Sequence, residues 1–556
     1  MPPTPRLLRD RQWDTPLPKR NKGPTPQNPK WGPENGIPTN RKAPLGTHSA
    51  ADSKDVRTVA KGGAIQIVGQ FTQKAVTFLL VAIAVRMLGT SDYGLYRQVF
   101  QVLVILTTIA SGGFPPAAVR FIAQARAVGD PAGVRGAAAV TLASTLVVSI
   151  IITVGVLVWT DPLAEVFTDS PEQLGYLSFL LRVGVAYVPL YAGMQVLRFC
   201  TQAYKTMGPG VMTGNIIQPL ARLIFTVIAL AAGFAVTGAV VALVVSAGIG
   251  MLAGVVFFKR LLTSEEKSAD PSFAVGSILR FAFPQAGVAL FSTQSLGLGI
   301  LLVGVYGSNS QVGLYGVAQA LQLAGGLFLT SIVGIWAPVV VDIYERGDIA
   351  RLQSLYQTIN RWVATFSVPV FVALMLQPEL FTRLLGGEDA LGAAALVPIL
   401  AMGNLFFVTT GPSAQLLSMT GRPGVNLINS VVSVGLYVGL GVLFVPRYGL
   451  VGMAVVDAFV TAVINIVRAV QGKMLVGVQP FGRTFVKPVA AALGAAAFLA
   501  LWRALVGYTV VDAVVGLSIG ALIYISILKV LGSDPEERHV IEAIKARATS
   551  MIKRRG

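Results

Sequence analysis

The sequence predicts an all-α membrane protein that crosses the bilayer about fourteen times. Hydrophobic residues make up 54% of the 556 residues and charged residues only 13%, with a mean hydropathy of +0.67. Apolar runs long enough to cross ~30 Å of hydrocarbon recur along most of the chain, and basic residues cluster in alternate loops between them. Such a composition leaves too little polar surface to cover a soluble globule. The chain is therefore expected to be a polytopic membrane protein.

The chain begins with a polar segment, residues 1–57, that contains eleven prolines, eleven Lys or Arg and five Asp or Glu. It has no apolar run able to pack a domain or to serve as a signal peptide. We expect a disordered, basic, cytoplasmic tail that is held near anionic lipid head groups. The net charge of +18 is thus explained without nucleic acid as a partner.

Beyond this tail, the apolar runs define fourteen predicted helices. They span 61–87, 95–117, 137–159, 175–200, 211–232, 237–258, 281–306, 312–340, 358–384, 391–418, 424–445, 450–472, 485–506 and 509–530.

The loops between these helices alternate in charge. Every loop predicted to be cytoplasmic contains Lys or Arg, whereas Arg447 is the only basic residue in the loops predicted to be external. Examples of external loops are "GTSDYG" (89–94), "TDPLAEVFTDSPEQ" (160–173) and "PRYG" (446–449). Because cytoplasmic loops are enriched in Lys and Arg, the pattern supports the helix count and places both termini in the cytoplasm.

The two halves of the helical region resemble each other. "DYGLYRQVFQVL" (92–103) is similar to "QVGLYGVAQALQL" (311–323), and "GPGVMTGNIIQP" (208–219) is similar to "RPGVNLINSVVS" (422–433). We therefore predict an N-lobe of helices 1–6 (58–260), a parallel C-lobe of helices 7–12 (261–474), and two additional helices (475–531). Transport paths in doubled membrane folds usually lie between the repeats.

The first helix carries a lysine near its middle. Lys74 lies on one helical side with Gln70 and Thr77, 13 positions after Lys61 and 12 positions before Arg86, which mark the two ends of the helix. At 1.5 Å per residue the nearer interface is roughly 18 Å away, too far for the ammonium group to reach. A basic residue at the bilayer centre costs about 2.5 kcal/mol or more, which makes a functional position facing the interior the default.

Further polar residues occur at helical spacing on the first two helices of each repeat, and charges occur on other helices. The candidate cavity residues are Lys74, Arg97, Arg182, Arg222, Gln70, Gln101, Gln285, Gln319, Gln322 and Asp457. Only one of the charged members is acidic, so the cavity is expected to attract an anion, of which phosphate is the common biological example. The lack of intramembrane carboxylates in helices 1 and 7 argues against a cation or drug exporter.

These features resemble a known family. "RMLGTSDYGLYRQV" (86–99), "VPRYGLVGMAVVDAF" (445–459) and the plan of six, six and two helices are similar to the Wzx-type oligosaccharide flippases of the multidrug, oligosaccharidyl-lipid, polysaccharide (MOP) superfamily. No acid stands beside Lys74, which disfavours the lipid II branch, whose first helix typically has an Arg-Asp pair. The resemblance covers about residues 58–531.

The resemblance implies a V-shaped MOP or MATE-like fold that works by alternating access. Its substrate would be a polyprenyl-diphosphate-linked oligosaccharide, moved from the cytoplasmic to the outer leaflet of the plasma membrane for polysaccharide assembly. No cofactor is expected, although coupling to an H+ or Na+ gradient is possible. The protein would act as a monomer, with polysaccharide assembly enzymes as possible partners. The alternatives are a cation-coupled multidrug exporter of the same fold and a membrane glycosyltransferase or O-antigen ligase.

The remaining predictions concern the C-terminal tail and metals. Residues 532–556 are expected to form a basic amphipathic helix at the cytoplasmic interface, with Lys545 and Arg547 available to head groups. The one cysteine, Cys200, and the two histidines, His48 and His539, are not at metal-ligand spacing. No metal site is therefore expected.

Overall fold

The computed structural model describes residues 50–168, 170–291, 297–507 and 509–532. The tails predicted at 1–57 and 532–556 therefore lie almost wholly outside the described residues. The described residues from Asp55 onward belong to one compact unit.

The described residues form α-helices, with short 3₁₀ and π segments and no strand. The α-helices are α1 Ala50–Ser111, α2 Phe114–Ala127, α3 Pro131–Val158, α4 Thr160–Glu165, α5 Pro171–Gly184, α6 Tyr187–Gln202, α7 Gly208–Val211, α8 Gln218–Ala231, α9 Ala235–Leu261, α10 Ser264–Ser268, α11 Val275–Leu290, α12 Leu298–Tyr306, α13 Asn309–Glu345, α14 Ile349–Leu376, α15 Pro378–Gly386, α16 Leu396–Thr409, α17 Ser413–Met419, α18 Pro423–Gln471, α19 Val486–Val506 and α20 Val510–Val530.

Eleven helices within the described residues are long and apolar enough to cross a membrane. The predicted class, an all-α polytopic membrane protein, is confirmed. Two of these stretches, 65–127 and 423–476, hold 63 and 54 residues. Each is well over twice the ~20 residues that one crossing requires. The figure of fourteen crossings remains a prediction.

Single glycines interrupt the two longest helices. Gly89 in α1 has φ 77° and Gly449 in α18 has φ 56°, both outside the helical region. A residue with a side chain is strained at such φ values, whereas glycine adopts them readily. The breaks fall inside the predicted loops "GTSDYG" and "PRYG". Each connection is therefore a one-residue break rather than the longer loop expected.

Prolines and capping residues begin many of the other helices. Asp130 precedes Pro131 at the start of α3, and its carboxylate accepts a hydrogen bond of 2.8 Å from the Gly133 N–H. Ser308 and Gln311 form a reciprocal capping box at the start of α13. These side chains satisfy backbone N–H groups that have no partner within the helix, which fixes where each helix starts.

The predicted helix at 281–306 differs most from the structure. Its first part, α11, packs on α2, where the Phe121 and Phe281 rings meet edge to face with centroids 6.1 Å apart. Its second part, α12, packs instead on α18 of the second repeat. Hydropathy marks one apolar run here, but the two pieces have different neighbours.

The last two helices, α19 and α20, pack on each other and on α14. Arg503 of α19 donates two hydrogen bonds of 2.7 and 3.0 Å to the Glu379 carboxylate. Partial burial acts to raise the pKa of Glu379, but the bonds from Arg503 outweigh it and the pKa lies below its usual value. The additional pair is thus attached through an ion pair as well as through apolar contact.

The two repeats meet where α13 crosses the second half of α1. Gly94 lies directly against the backbone of Asn309, and Gly313 lies directly against the backbone of Thr90. The Thr90 and Ser310 hydroxyls are 3.3 Å apart. Arg86 donates a hydrogen bond of 2.6 Å to the Leu384 carbonyl nearby. We call this contact, formed by residues 90–94 and 309–313, the glycine crossing.

Candidate functional site

A cavity of about 570 Å³ opens among the helices of the first repeat. Helices α1, α6 and α8 line it, and its polar or aromatic lining residues are Gln73, Thr77, Phe100, Gln101, Thr107, Thr108, Ser111, Tyr187, Tyr191, Gln195, Gln218 and Arg222. None of the described lining residues is Asp or Glu. The volume is typical of a pocket for a small molecule or for part of a larger one.

Arg222 supplies the positive charge of this cavity. Its Nε and one terminal nitrogen donate hydrogen bonds of 3.1 and 2.6 Å to the Tyr96 hydroxyl. Its guanidinium carbon lies 4.0 Å from the centroid of the Phe100 ring. No carboxylate among the described residues forms an ion pair with it. The arginine is therefore held rigidly by neutral groups, and its charge remains available to an anion.

A chain of hydrogen-bonded polar side chains leads from Arg198 to Gln73 of the cavity lining. Arg198 donates to Asn215 Oδ1 at 2.9 Å, and the Asn215 amide donates to Gln73 Oε1 at 2.7 Å. Asn215 belongs to a π-helical segment, Met212–Ile217, directly before α8. Such segments often occur at functional sites, because the extra residue per turn redirects side chains.

Arg198 was not predicted as a site residue. It lies near the end of its predicted helix, where a basic residue is ordinary. A signal was nevertheless present, because Tyr187, Tyr191, Gln195 and Arg198 recur at intervals of four, four and three residues, as one face of a helix does. Three of these four residues line the cavity.

Aromatic rings cover another part of the cavity surface. Tyr187 and Tyr191 stack with centroids 4.8 Å apart and an interplanar angle of 24°. Phe100 meets Tyr187 edge to face at 6.4 Å. The lining thus combines flat aromatic faces, amides and hydroxyls with one guanidinium.

Of the predicted site residues, Gln101 and Arg222 line this cavity. Gln101 is buried and faces Gly297. Gln70 and Lys74 are half-buried on the first half of α1, outside the lining set. Among the described residues, Lys74 has no ion-pair or hydrogen-bond partner.

Arg97 and Arg182 lie elsewhere. Arg97 packs against Gly316 of α13, on the side of α1 that faces the second repeat. Arg182 is half-exposed and pairs with Asp161 at 3.0 Å. Its side chain is directed along the surface towards an acidic residue of α4 rather than into the cavity.

The other four predicted site residues lie outside the cavity, and two of them, Asp457 and Gln319, lie together in the second repeat. The Asp457 carboxylate accepts a hydrogen bond of 2.8 Å from the Tyr315 hydroxyl, with the Tyr437 hydroxyl 3.4 Å from that of Tyr315. Gln319 also bonds to Asp457. This Asp457 cluster is a half-buried acid surrounded by neutral donors. Two further glutamines stand apart from it: Gln322 donates to the backbone of α13 and α16, and Gln285 packs on Gly113.

Comparisons with known proteins place this arrangement in context. The sequence profile described as "polysaccharide biosynthesis protein" matches residues 59–344. Stage V sporulation protein B of Bacillus subtilis is 24% identical over 437 residues, which are 73% of this chain and 82% of that protein.

Solved structures also match. The lipid II flippase MurJ in its inward closed conformation superimposes with a TM-score of 0.68 and 13% identity, over 84% of this chain and 98% of that one. An inward-facing multidrug resistance MATE family transporter of the MOP superfamily superimposes with a TM-score of 0.62 and 17% identity, over 75% of this chain and 98% of that one. The fold is therefore of the MurJ and MATE type, as the sequence resemblance implied.

Proposed function

This chain belongs to the polysaccharide biosynthesis protein family, and we propose that it is a flippase for a polyprenyl-diphosphate-linked oligosaccharide. It would carry this lipid from the cytoplasmic to the outer leaflet of the plasma membrane by alternating access. The chain is a transporter rather than an enzyme, in line with its family and with the flippase and transporter structures that share its fold.

The observation that carries the proposal is Arg222 in a cavity without carboxylates. A half-buried guanidinium held by Tyr96 and Phe100 presents its charge to the cavity and has no acidic partner among the described residues. Guanidinium groups bind phosphate with charge-assisted hydrogen bonds, which are about twice as strong as neutral ones. A diphosphate in this cavity would supply the missing anion.

The rest of the lining fits a sugar. Amides and hydroxyls such as Gln73, Gln101 and Gln218 can exchange hydrogen bonds with sugar hydroxyls. The stacked Tyr187 and Tyr191 rings offer flat apolar faces, which suit the C–H face of a pyranose ring. A hydrated glycan and a diphosphate cannot enter hydrocarbon unaided, whereas the prenyl chain has no reason to leave it.

Asp457 is the proposed site of coupling to an H+ or Na+ gradient. It is the acid of a cluster whose other members are hydroxyls and an amide, so binding a proton or a cation would compensate its burial. Both termini would be cytoplasmic, with the basic tails near anionic lipids. Assembly enzymes that consume the translocated lipid would be partners.

The test is turnover of a lipid-linked oligosaccharide in proteoliposomes, read as the fraction exposed to a membrane-impermeant oxidant of sugars. Arg222→Gln keeps a donor for Tyr96 but removes the charge, and we expect it to slow turnover at least tenfold, since a hydrogen bond to a charged group contributes about 1.5–3 kcal/mol. Arg346→Gln removes an exposed arginine paired with Asp342 and is the matched control.

Two outcomes would contradict the proposal. The first is wild-type turnover by well-folded Arg222→Gln protein, which would remove the role of the cavity charge. The second is transport of cationic drugs by the wild-type protein without transport of the lipid-linked sugar, which would favour the drug-exporter alternative.

A further inference from the structure

A second cavity lies at one end of helices α3 and α9, apart from the cavity that contains Arg222. Its volume is about 560 Å³, and four of its six lining residues are basic: Arg135, Lys259, Arg260 and Lys267. They come from three segments, the first turns of α3, the last turn of α9 and the short helix α10. We call this cavity the basic groove. Four positive charges that converge from three segments create a strong local attraction for an anion.

The backbone around the groove is fixed by hydrogen bonds. Arg135 donates from one terminal nitrogen to the carbonyls of Lys267 and Ala269, at 2.9 and 2.6 Å. The Ser272 N–H donates to the Ala132 carbonyl at 3.0 Å. The segment that joins the two repeats is therefore held against the start of α3, and Lys267 is kept beside the other cations.

The buried acid of this segment, Glu266, is already bound by other side chains. Glu266 is 6% exposed, and its carboxylate receives hydrogen bonds from Arg126 at 3.2 Å and from Tyr204 at 2.9 Å. The exposed acids Glu265 and Asp270 are on the same segment but do not line the groove. The positive charge of the groove is therefore not neutralised within its own lining.

An exposed apolar stripe leads into the groove. Leu252, Val256 and Arg260 follow one another at intervals of four residues on α9, so they share one face of that helix. Leu252 is 65% exposed and Val256 is 38% exposed, and Val256 also lines the groove. In a membrane-spanning helix, exposed apolar side chains face lipid. The stripe therefore runs from the hydrocarbon to the four cations.

We propose that the basic groove binds the phosphate head group of an anionic phospholipid of the cytoplasmic leaflet, with an acyl chain along the Leu252 and Val256 stripe. The combination distinguishes the groove from ordinary basic loops, which carry charge without a cavity or an adjoining apolar track. A bound head group would bridge α3, α9 and the segment between the repeats, and so fasten that segment to the first repeat.

The experiment measures binding alone, so its failure would leave the flippase proposal untouched. The full-length protein in a neutral detergent is titrated calorimetrically with soluble short-chain phosphatidylglycerol, short-chain phosphatidylcholine and inorganic phosphate. The groove variant combines Lys259→Gln, Arg260→Gln and Lys267→Gln. The matched control combines Arg351→Gln, Lys473→Gln and Arg483→Gln, which removes the same charge from exposed residues outside the groove.

We expect the wild-type and control proteins to bind phosphatidylglycerol, and the groove variant to bind it roughly 100-fold more weakly, because each basic residue near an anionic lipid contributes about a fivefold factor. Phosphatidylcholine should bind no better to the wild-type protein than to the groove variant. Equal affinity of wild-type and groove variant for phosphatidylglycerol would overturn the proposal, and so would inorganic phosphate binding as tightly as the lipid. A melting curve and a gel-filtration profile verify that both variants are folded.

Discussion

Substituting alanine for Gly94 should open the glycine crossing. A Cβ atom at Gly94 would lie 2.7 Å from the carbonyl carbon of Asn309 and 2.8 Å from the Gly313 nitrogen, and closer still to the Asn309 oxygen. Carbon atoms in contact are ordinarily about 3.5 Å or more apart, so the two backbones must separate by at least about 1 Å. Backbone atoms of two long helices cannot rotate away as a flexible side chain can. The strain therefore falls on the contact between the repeats.

The size of the effect follows from the cost of overpacking. An added methyl group in a packed contact costs typically about 1–3 kcal/mol. If the strain is relieved when the repeats separate, the ratio of closed to open molecules falls by roughly 5- to 150-fold. Helix propensity acts in the opposite direction, because alanine is favoured over glycine by about 1 kcal/mol in a helix interior. The fold of α1 should therefore survive the substitution.

Cysteine cross-linking measures this ratio. The Thr90 and Ser310 hydroxyls are 3.3 Å apart, which puts Thr90→Cys and Ser310→Cys within reach of a disulfide. The one native cysteine, Cys200, is buried and should not compete. A short pulse of oxidant traps the closed molecules. Gly435→Ala, at a helical glycine with open space around its added Cβ atom, is the control for the gain in helix propensity.

The trapped fraction should be high in the parent and in the Gly435→Ala protein, and low in the Gly94→Ala protein. Equal trapping in all three would refute the reasoning, because it would mean that the crossing absorbs the methyl group without separating. Loss of folded Gly94→Ala protein from the membrane would refute it as well, since the strain would then act on folding rather than on the closed state.

Three further predictions concern charge and orientation. Lys74→Arg should keep substantial lipid-linked oligosaccharide turnover in proteoliposomes, whereas Lys74→Ala and Lys74→Glu should abolish it without lowering membrane insertion, because charge rather than shape is required. Full turnover by folded Lys74→Ala protein would exclude a functional role. Asp457→Asn keeps an acceptor for Tyr315 but cannot ionise, so it should remove the response of transport to an imposed H+ or Na+ gradient; an unchanged response would rule out coupling there. A topology reporter fused after Glu172 should be external and one fused after Lys267 cytoplasmic, because three predicted helices lie between them. One helix more or fewer would put both reporters on the same side, so identical readings would contradict the fourteen-helix topology.

The sequence was sufficient for the fold because membrane helices depend mainly on one local property. An apolar run of ~20 residues must form a helix, since hydrocarbon offers its backbone no other hydrogen-bond partners. The repeat of "GLY" motifs indicated that the elements carrying Gly94 and Gly313 are equivalent, whereas the crossing between them is seen only in the structure. Which piece of a run packs on which neighbour is not a local property. The division of the predicted helix 281–306 between two sets of neighbours could not be predicted for that reason.

The candidate site was predicted only in part, because the sequence does not show towards which neighbour each helix face is directed. Helical spacing tells which residues share a face, but not what that face meets. Gln101 and Arg222 do line the cavity, whereas Arg182 turns to Asp161, an acid 21 positions earlier that follows a helix end. Arg198 was not predicted, because a basic residue two positions before the end of its predicted helix, 175–200, gives no sign of burial. The π-helical segment beside it, which brings Asn215 between Arg198 and Gln73, has no signature in the apolar pattern.

The two repeats place equivalent tyrosines beside opposite charges. These tyrosines connect the proposed binding site with the proposed coupling site. Tyr96 and Tyr315 are 219 positions apart, the same offset as Gly94 and Gly313, and each follows its glycine by two residues. The Tyr96 hydroxyl binds the cation Arg222, whereas the Tyr315 hydroxyl binds the acid Asp457. Both tyrosines therefore lie two residues beyond the glycines of the glycine crossing. We therefore expect a change in the crossing that shifts either helix to alter the hydrogen bond that its tyrosine gives or receives, at Arg222 or at Asp457. In the proposed cycle, a cation at Asp457 and a diphosphate at Arg222 would influence each other through these two helices, without direct contact between the ligands.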